Sequence, residues 1–169
     1  LHLSRFVSDS EDDRDIGEPT SALDWQEGDY SPEHIERVRG QLLGVEARQF
    51  ETFIGSLLSR SGFVDVATTR FSQDGGIDIN AIAGRMLWPL VGTHVQVQAK
   101  RWHHTVGRKE VAELRGSLAL HARGAVVTTS HYSRAAISEA SSDGKLPLVL
   151  VDGYALAKVT LNFGLQIPA

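Results

Sequence analysis

Hydrophobic positions along the chain follow two periods, and the switch between them marks where the fold changes character. Ser31-Pro32-Glu33 opens a helix. A serine oxygen can cap it, proline suits the first helical position, and glutamate favours the positive end of the dipole. Ile35, Val38 and Leu42 carry an apolar stripe up to Gly44. A second helix is predicted from Val45 to Arg60, with Phe50, Phe53, Ile54, Leu57 and Leu58 on one buried face. Ser61-Gly62 ends it.

After Gly62 the period becomes two. Val64–Phe71 and Ile77–Ala83 read as strands, with the turn chemistry of Asp74-Gly75-Gly76 between them. Asp74 reads as a turn residue bonded to local backbone. A loop, Gly84–Gly92, leads to His94–Trp102, the clearest alternating strand in the chain. Lys109–His121 returns to helical spacing through Val111, Leu114 and Leu118. Gly124–Ser130 is an apolar run suited to a strand covered on both faces. Ser133–Ser141 is a short helix, Pro147–Val151 a further buried strand and Tyr154–Phe163 a closing helix. The order α-β-β-β-α-β-α-β-α predicts an α/β fold with a mixed sheet: an antiparallel part first, crossover-connected strands later.

Composition changes this picture at one end. Residues 1–33 hold ten acids against two bases, a net of −8, whereas residues 34–169 hold eleven acids against fifteen bases, a net of +4. Residues 1–30 therefore read as an acidic linker or arm, poor in structure, and residues 31–169 as the domain. The mildly basic body is compatible with a polyanionic partner. There is no cysteine, which excludes disulfides and thiolate metal sites and fits a reducing cytoplasm. No apolar stretch approaches the ~18 residues of a membrane span. A chain opening on Leu1 instead of Met reads as a processed protein or a fragment.

The candidate chemistry lies on the strand HVQVQAK. Val95, Val97 and Ala99 point to one face, and Gln96, Gln98 and Lys100 share the other. Alone, such a polar face is simply solvated. Asp78 changes the weighing: flanked by Ile77 and Ile79, it is expected to project opposite to both. If the two strands pair, a carboxylate, an amide oxygen and an ammonium meet on one patch. Asp78 and Gln98 offer oxygen ligands to a hard cation such as Mg²⁺, and Lys100 can stabilise charge on a phosphoryl transition state. Gln98 and Lys100, about 7 Å apart, can flank a phosphate. Glu51, about 20° from Leu58 at the margin of the buried stripe, is either a carboxylate with a partner such as a metal or lysine, or a helix-edge acid reaching water, with Glu46 as a reserve.

Other features are weaker. Lys100, Arg101, Arg108, Lys109 and Arg115 place five bases within sixteen residues, either a phosphate-binding surface or a solvated helix face. His103-His104 is no metal pair, because neighbours on a strand point opposite ways. Trp102 reads as core or rim packing. Thr128, Thr129 and Ser130 reach a phosphate or cap the next helix. No nucleophile elbow, phosphate loop or dinucleotide fingerprint occurs, which argues against esterase, NTPase and Rossmann functions.

Taken in order, Phe50-Glu51, Gly62-Phe63, DGGIDI at 74–79 and VQAKRW at 97–102 resemble the Mrr-like type IV restriction endonucleases. Val106-Gly107-Arg108, Val111, Arg115-Gly116, VVTTS at 126–130, Ala135-Ala136 and LVDG at 150–153 extend the likeness over roughly residues 46–165. The resemblance implies a restriction-endonuclease-like PD-(D/E)xK core, a mixed β-sheet flanked by helices, with glutamine replacing the usual acid. It implies Asp78, Gln98 and the backbone carbonyl of Ala99 as metal ligands, Lys100 as catalytic lysine and Glu51 as the helix glutamate. It further implies Mg²⁺, with Mn²⁺ as a substitute, and double-stranded DNA as substrate, with Arg101, Arg108, Lys109 and Arg115 on its phosphates. The expected activity is metal-dependent cleavage of foreign or methylated DNA in the cytoplasm. A homodimer and a separate recognition domain are the expected partners. The alternatives are a structure-selective nuclease, such as a junction resolvase, and an inactive DNA-binding module.

Overall fold

Helices cover both faces of one twisted sheet in the computed structural model, which describes the backbone of Arg5–Phe6 and residues 29–69 and 76–169. The elements are β1 (Arg5–Phe6), α1 (Pro32–Gly44), α2 (Ala47–Arg60), β2 (Phe63–Thr68), β3 (Ile79–Ala83) and β4 (His94–Lys100). There follow α3 (Arg108–Ser117), β5 (Arg123–Thr128), α4 (Arg134–Ala140), β6 (Leu148–Val151) and α5 (Gly153–Phe163). The sheet runs β1-β6-β5-β4-β3-β2. The β2–β3–β4 part is antiparallel and the β4–β5–β6–β1 part parallel, as the α/β order requires. The expected mixed sheet is therefore present. β1 is an addition: Arg5–Phe6 pairs in parallel with β6, so part of the stretch read as an arm is an edge strand. Two residues are too few for alternation to reveal. The expectations for residues 7–28, and for Asp74 and its turn, lie outside the described residues.

Caps mark the helix starts much as the sequence predicts. Ser31 accepts a hydrogen bond from the His34 amide, Ser133 from Ala136 and Asp152 from Ala155. One core packs α1, α2 and α5 against Ile79, Val97 and Val127. The other packs α3 and α4 against Val126, Leu148 and Leu150. Val126 and Val127 are neighbours facing opposite ways, which is why β5 reads as continuously apolar. Each such side chain removed from water contributes roughly 1.5–3 kcal/mol, so both layers hold the central strands in place. No helix among the described residues is long and apolar enough to cross a membrane.

The two cores also correct one expectation. Ile77 and Ile79 lie in different clusters on opposite sides of the sheet, not on one shared face. β3 begins only at Ile79, and Gly76, at φ +88°, turns the chain just before it. Strict alternation therefore does not hold through Asp78.

Candidate active site

Pairing of β3 with β4 in the register Ile79↔Val97 places Asp78 across from Gln98. The Asp78 amide donates to the Val97 carbonyl (2.9 Å), and the Asp78 Oδ2 accepts from the Ala99 amide (2.8 Å). Backbone bonds from β4 thus fix both ends of this residue. Burial pushes the Asp78 carboxyl above its usual range, opposed by the Ala99 hydrogen bond and the Lys100 charge.

Gln98 is not on a solvated face. It is 6% exposed, and its Oε1 is buried without a hydrogen-bond partner among the described residues. On this side of the sheet α3 packs through Val111 and Leu114 against Val126, the β5 partner of Gln98. Next to Gln98, Gln96 is satisfied on both sides: its Nε2 donates to Asn80 Oδ1 (2.9 Å) and its Oε1 accepts from the Ala119 amide (2.7 Å). The two glutamines therefore differ in kind. Gln96 is structural, and Gln98 holds an acceptor with nothing to accept, a state that costs roughly 1–3 kcal/mol unless something binds it.

Lys100 is half-buried, and burial lowers its pKa against the opposing charges of Glu110, Asp78 and Glu113. Its Nζ lies 4.2 Å from the centroid of the Trp102 ring. Trp102 in turn stacks on His104 at 4.3 Å. Trp102 also packs at the edge of the second core, so the packing expected from sequence is real but incomplete. Beyond Lys100 the chain leaves the sheet, and its carbonyls need donors. Thr128 Oγ1 donates to the Lys100 carbonyl (2.8 Å), Thr129 Oγ1 to that of Trp102 (2.9 Å) and Ser130 Oγ to that of His103 (3.4 Å). These hydroxyls are spoken for by backbone carbonyls, neither free for a phosphate nor capping a helix. They hold the segment that carries Lys100 and Trp102.

The two helix glutamates separate clearly. Glu46 caps α2, accepting from the amides of Arg48 (2.9 Å) and Gln49 (3.1 Å), bonds that lower its pKa. Glu51, half-buried, has its pKa raised first by burial, then by the charges of Asp78 and Glu46. Glu51 and Asp78 therefore share one electrostatic neighbourhood.

The donor set fits a hard divalent cation. Asp78 and Glu51 offer carboxylates that repel each other without one, and Gln98 offers an oxygen that lacks a partner. The main chain of Ala99 lies between Gln98 and Lys100 and is bonded to Asp78. Among the described residues no three His, Cys, Asp or Glu side chains gather as a metal cluster. An amide oxygen and main-chain oxygens would have to complete any such shell.

The basic side chains do not act as one surface. Arg115, only 14% exposed, turns inward to Glu139 and to the carbonyls of Leu146, Glu139 and Ala140. Arg101 donates to the Leu43 carbonyl at the end of α1 (2.9 Å). The Arg115 guanidinium is thus committed to acceptors inside the fold, whereas Arg101 gives one N–H to α1 and its buried Nε has no partner among the described residues. Arg108 is 68% exposed with Nε bonded to Glu139, and Lys109 is 81% exposed near Glu113. These two remain on the surface. Sequence reasoning saw Gly76 only as a turn residue and passed over the holding role of Thr128–Ser130. The DGG run and a polar TTS ending a buried strand were the available signals.

The restriction endonuclease family Mrr_cat matches residues 42–160, the greater part of the chain. The type IV methyl-directed restriction enzyme EcoKMrr of Escherichia coli (strain K12) is 32% identical over 165 residues, covering 92% of this chain and 52% of that protein. The chain thus spans about half the length of the curated relative it matches. Among solved structures, the DNA modification-dependent restriction endonuclease AspBHI superposes with a TM-score of 0.64 at 22% identity, covering 80% of this chain and 37% of that one. MspJI restriction endonuclease, in complex with a 27-mer oligonucleotide, superposes at 0.61 with 23% identity, covering 89% and 36%. At these identities the two structures speak for the fold.

Proposed function

The chain belongs to the Mrr_cat family of restriction endonucleases, and from that premise we propose that it hydrolyses phosphodiester bonds of foreign or methylated double-stranded DNA with Glu51, Asp78, Gln98 and Lys100. The buried Oε1 of Gln98, without a partner among the described residues and across from Asp78, carries this reading. Packing alone gives no reason for an orphaned acceptor there, and a cation ligand does. Asp78, Gln98 and the Ala99 carbonyl would hold the cation, Mg²⁺ by choice and Mn²⁺ as a substitute, with Glu51 beside them. The chemistry a divalent cation supplies in such a place is polarisation of a phosphoryl oxygen and a lowered pKa for water.

The chain's own groups do the rest. Asp78, anchored by the Ala99 amide, keeps its carboxylate oriented without reorganisation during the reaction. Lys100 brings a half-buried positive charge to the phosphate, where charge builds up in the transition state. Glu51 adds a carboxylate able to orient water or ligate. Arg108 and Lys109 contact phosphates at the rim, without reading sequence. A second copy of the chain makes the second strand's cut, and a separate domain supplies target choice, in keeping with the chain's share of its relative. The cytoplasm, where a cysteine-free chain loses nothing, is the site of action. The family assignment and the grouping of Glu51, Asp78, Gln98 and Lys100 favour this reading over a junction resolvase or an inactive module. Methylated substrate is favoured because the 32%-identical relative is methyl-directed.

Incubating the protein with methylated and unmethylated plasmid, in Mg²⁺, Mn²⁺, Ca²⁺ or excess EDTA, tests the proposal. Cleavage in Mg²⁺ or Mn²⁺, and preference for methylated plasmid, are expected. Equal cutting in EDTA would remove the metal.

A further inference from the structure

We propose that Gly76 is a positioning residue for Gln98: its bare Cα forms the slot in which the Gln98 amide lies. The inference rests on the metal-ligand role given above to Gln98, but the contact itself is purely geometric. A Cβ built on Gly76 would come within 2.0 Å of Gln98 Nε2 and 3.3 Å of its Cδ. No real pair of such atoms approaches so closely, so any side chain at 76 must push the amide aside. The amide has little room to give way, since Gln98 is only 6% exposed. A displaced amide carries its Oε1 away from the position across from Asp78.

Gly76 has a second reason to be glycine, and the two must be separated. Its φ of +88° is in the left-handed region, where any L side chain is strained whatever it meets. Strain at 76 is indifferent to the residue at 98. The collision exists only while Gln98 is long enough to occupy the slot. Substitutions at the two positions are therefore expected to couple, and the sign of the coupling tells which cause dominates.

The test compares the parent, Gly76→Ala, Gln98→Ala and the double variant in two measurements. Thermal melts in EDTA read the contact. Gly76→Ala is expected to lower the melting temperature by roughly 5 °C or more, and adding Gln98→Ala to recover about half of that loss, because the obstructing amide is gone. Should Gly76→Ala fail to fold, a cooperative melt in the double variant supports the collision and its absence overturns it. No recovery in the double variant means backbone strain alone, and overturns the positioning role. Mn²⁺ titration calorimetry reads the consequence. Gly76→Ala is expected to weaken Mn²⁺ binding roughly 10-fold in the parent and to have no further effect in Gln98→Ala. An equal loss in both backgrounds overturns the proposal. Equal Mn²⁺ affinity of the parent and Gln98→Ala would instead overturn the ligand role of Gln98, while thermal recovery would still stand for the contact.

Discussion

The Lys100 ammonium lies 4.2 Å from the centroid of the Trp102 ring, two residues further along the same chain. On a continuous strand these side chains would share a face about 7 Å apart. Here the chain leaves β4 after Lys100, and the hydroxyls of Thr128 and Thr129 catch the carbonyls of Lys100 and Trp102. The ring can therefore fold against the ammonium. A cation over an indole face is stabilised by about 0.5–2 kcal/mol, more where water is excluded. Trp102→Leu is expected to slow single-turnover cleavage about 2- to 30-fold, and Trp102→Phe by less. In a Lys100→Ala background Trp102→Leu should change nothing further; a full additional loss there would mean Trp102 acts independently of Lys100.

Lys100→Ala itself should separate binding from chemistry. A group that meets charge only in the transition state lowers the cleavage rate on removal and leaves substrate binding nearly intact. The expected loss is ~10²–10³-fold in rate, with DNA affinity within a few-fold of the parent. A variant cutting nearly as fast as the parent would take Lys100 out of the mechanism.

Asp78→Asn keeps an oxygen for the Ala99 amide, so the fold is expected to survive. A neutral amide is a poor ligand for a hard cation, and cleavage should vanish together with Mn²⁺ binding. Calorimetry showing unchanged Mn²⁺ affinity would exclude Asp78 as a ligand.

Gln98 should show a trade of stability against function. Gln98→Met removes a buried acceptor that has no partner among the described residues and nearly conserves volume. In EDTA its melting temperature is expected to rise by about 2–4 °C, while cleavage is lost. Gln98→Glu adds a charge to the same place and is expected to tighten metal binding and retain measurable cleavage. A Met variant that melts lower than the parent would show that Oε1 is satisfied after all.

The basic residues of α3 are predicted to split by role. Lys109→Ala is expected to weaken DNA binding and reduce the slope of log affinity against log salt by about 1, with the melt unchanged. Arg115→Ala should instead destabilise, because it strips partners from the buried Glu139. Lys145, Arg108 and Arg115 surround that carboxylate, and hydrogen bonds from Lys145 and Arg108 are the main reason its pKa is held down to about 2. A depressed folded-state pKa means that the stabilisation is complete above the unfolded value of 4.5 and fades as pH falls toward about 2. The melting difference between parent and Glu139→Gln should thus shrink from about pH 6 to about pH 3. A difference constant across that window would refute the ion cluster as its source.

Residues near one another in sequence were the legible ones. The stripe Phe50, Phe53, Ile54, Leu57 announced α2, Ser31-Pro32 its neighbour's start, and the alternation of HVQVQAK put Gln98 and Lys100 on one face. The order of elements then required a mixed sheet, and the pairing of Asp78 with Gln98 followed from joining its two antiparallel strands. What separates Glu46 from Glu51 was not legible: the Glu46 carboxylate is committed to the amides of its own helix.

By itself, then, the sequence determined the helices, the strands after β1, the facing of β4 and the family, because side-chain period and caps act over a few residues and survive in any context. Only the tertiary structure decided where each polar group found its partner. Arg115 turned inward because α4 brought Glu139 to it, and Thr128 and Thr129 were taken by the carbonyls of Lys100 and Trp102, more than twenty residues earlier. Ile77 parted from Ile79 because regular strand begins only at Ile79, and the two side chains enter different cores. Gln98 kept a buried oxygen without a partner among the described residues, while Gln96, two residues away, found two. The residue type is the same at both positions; what differs is which distant elements close over each, and burial without a partner is a property of packing that no local pattern encodes.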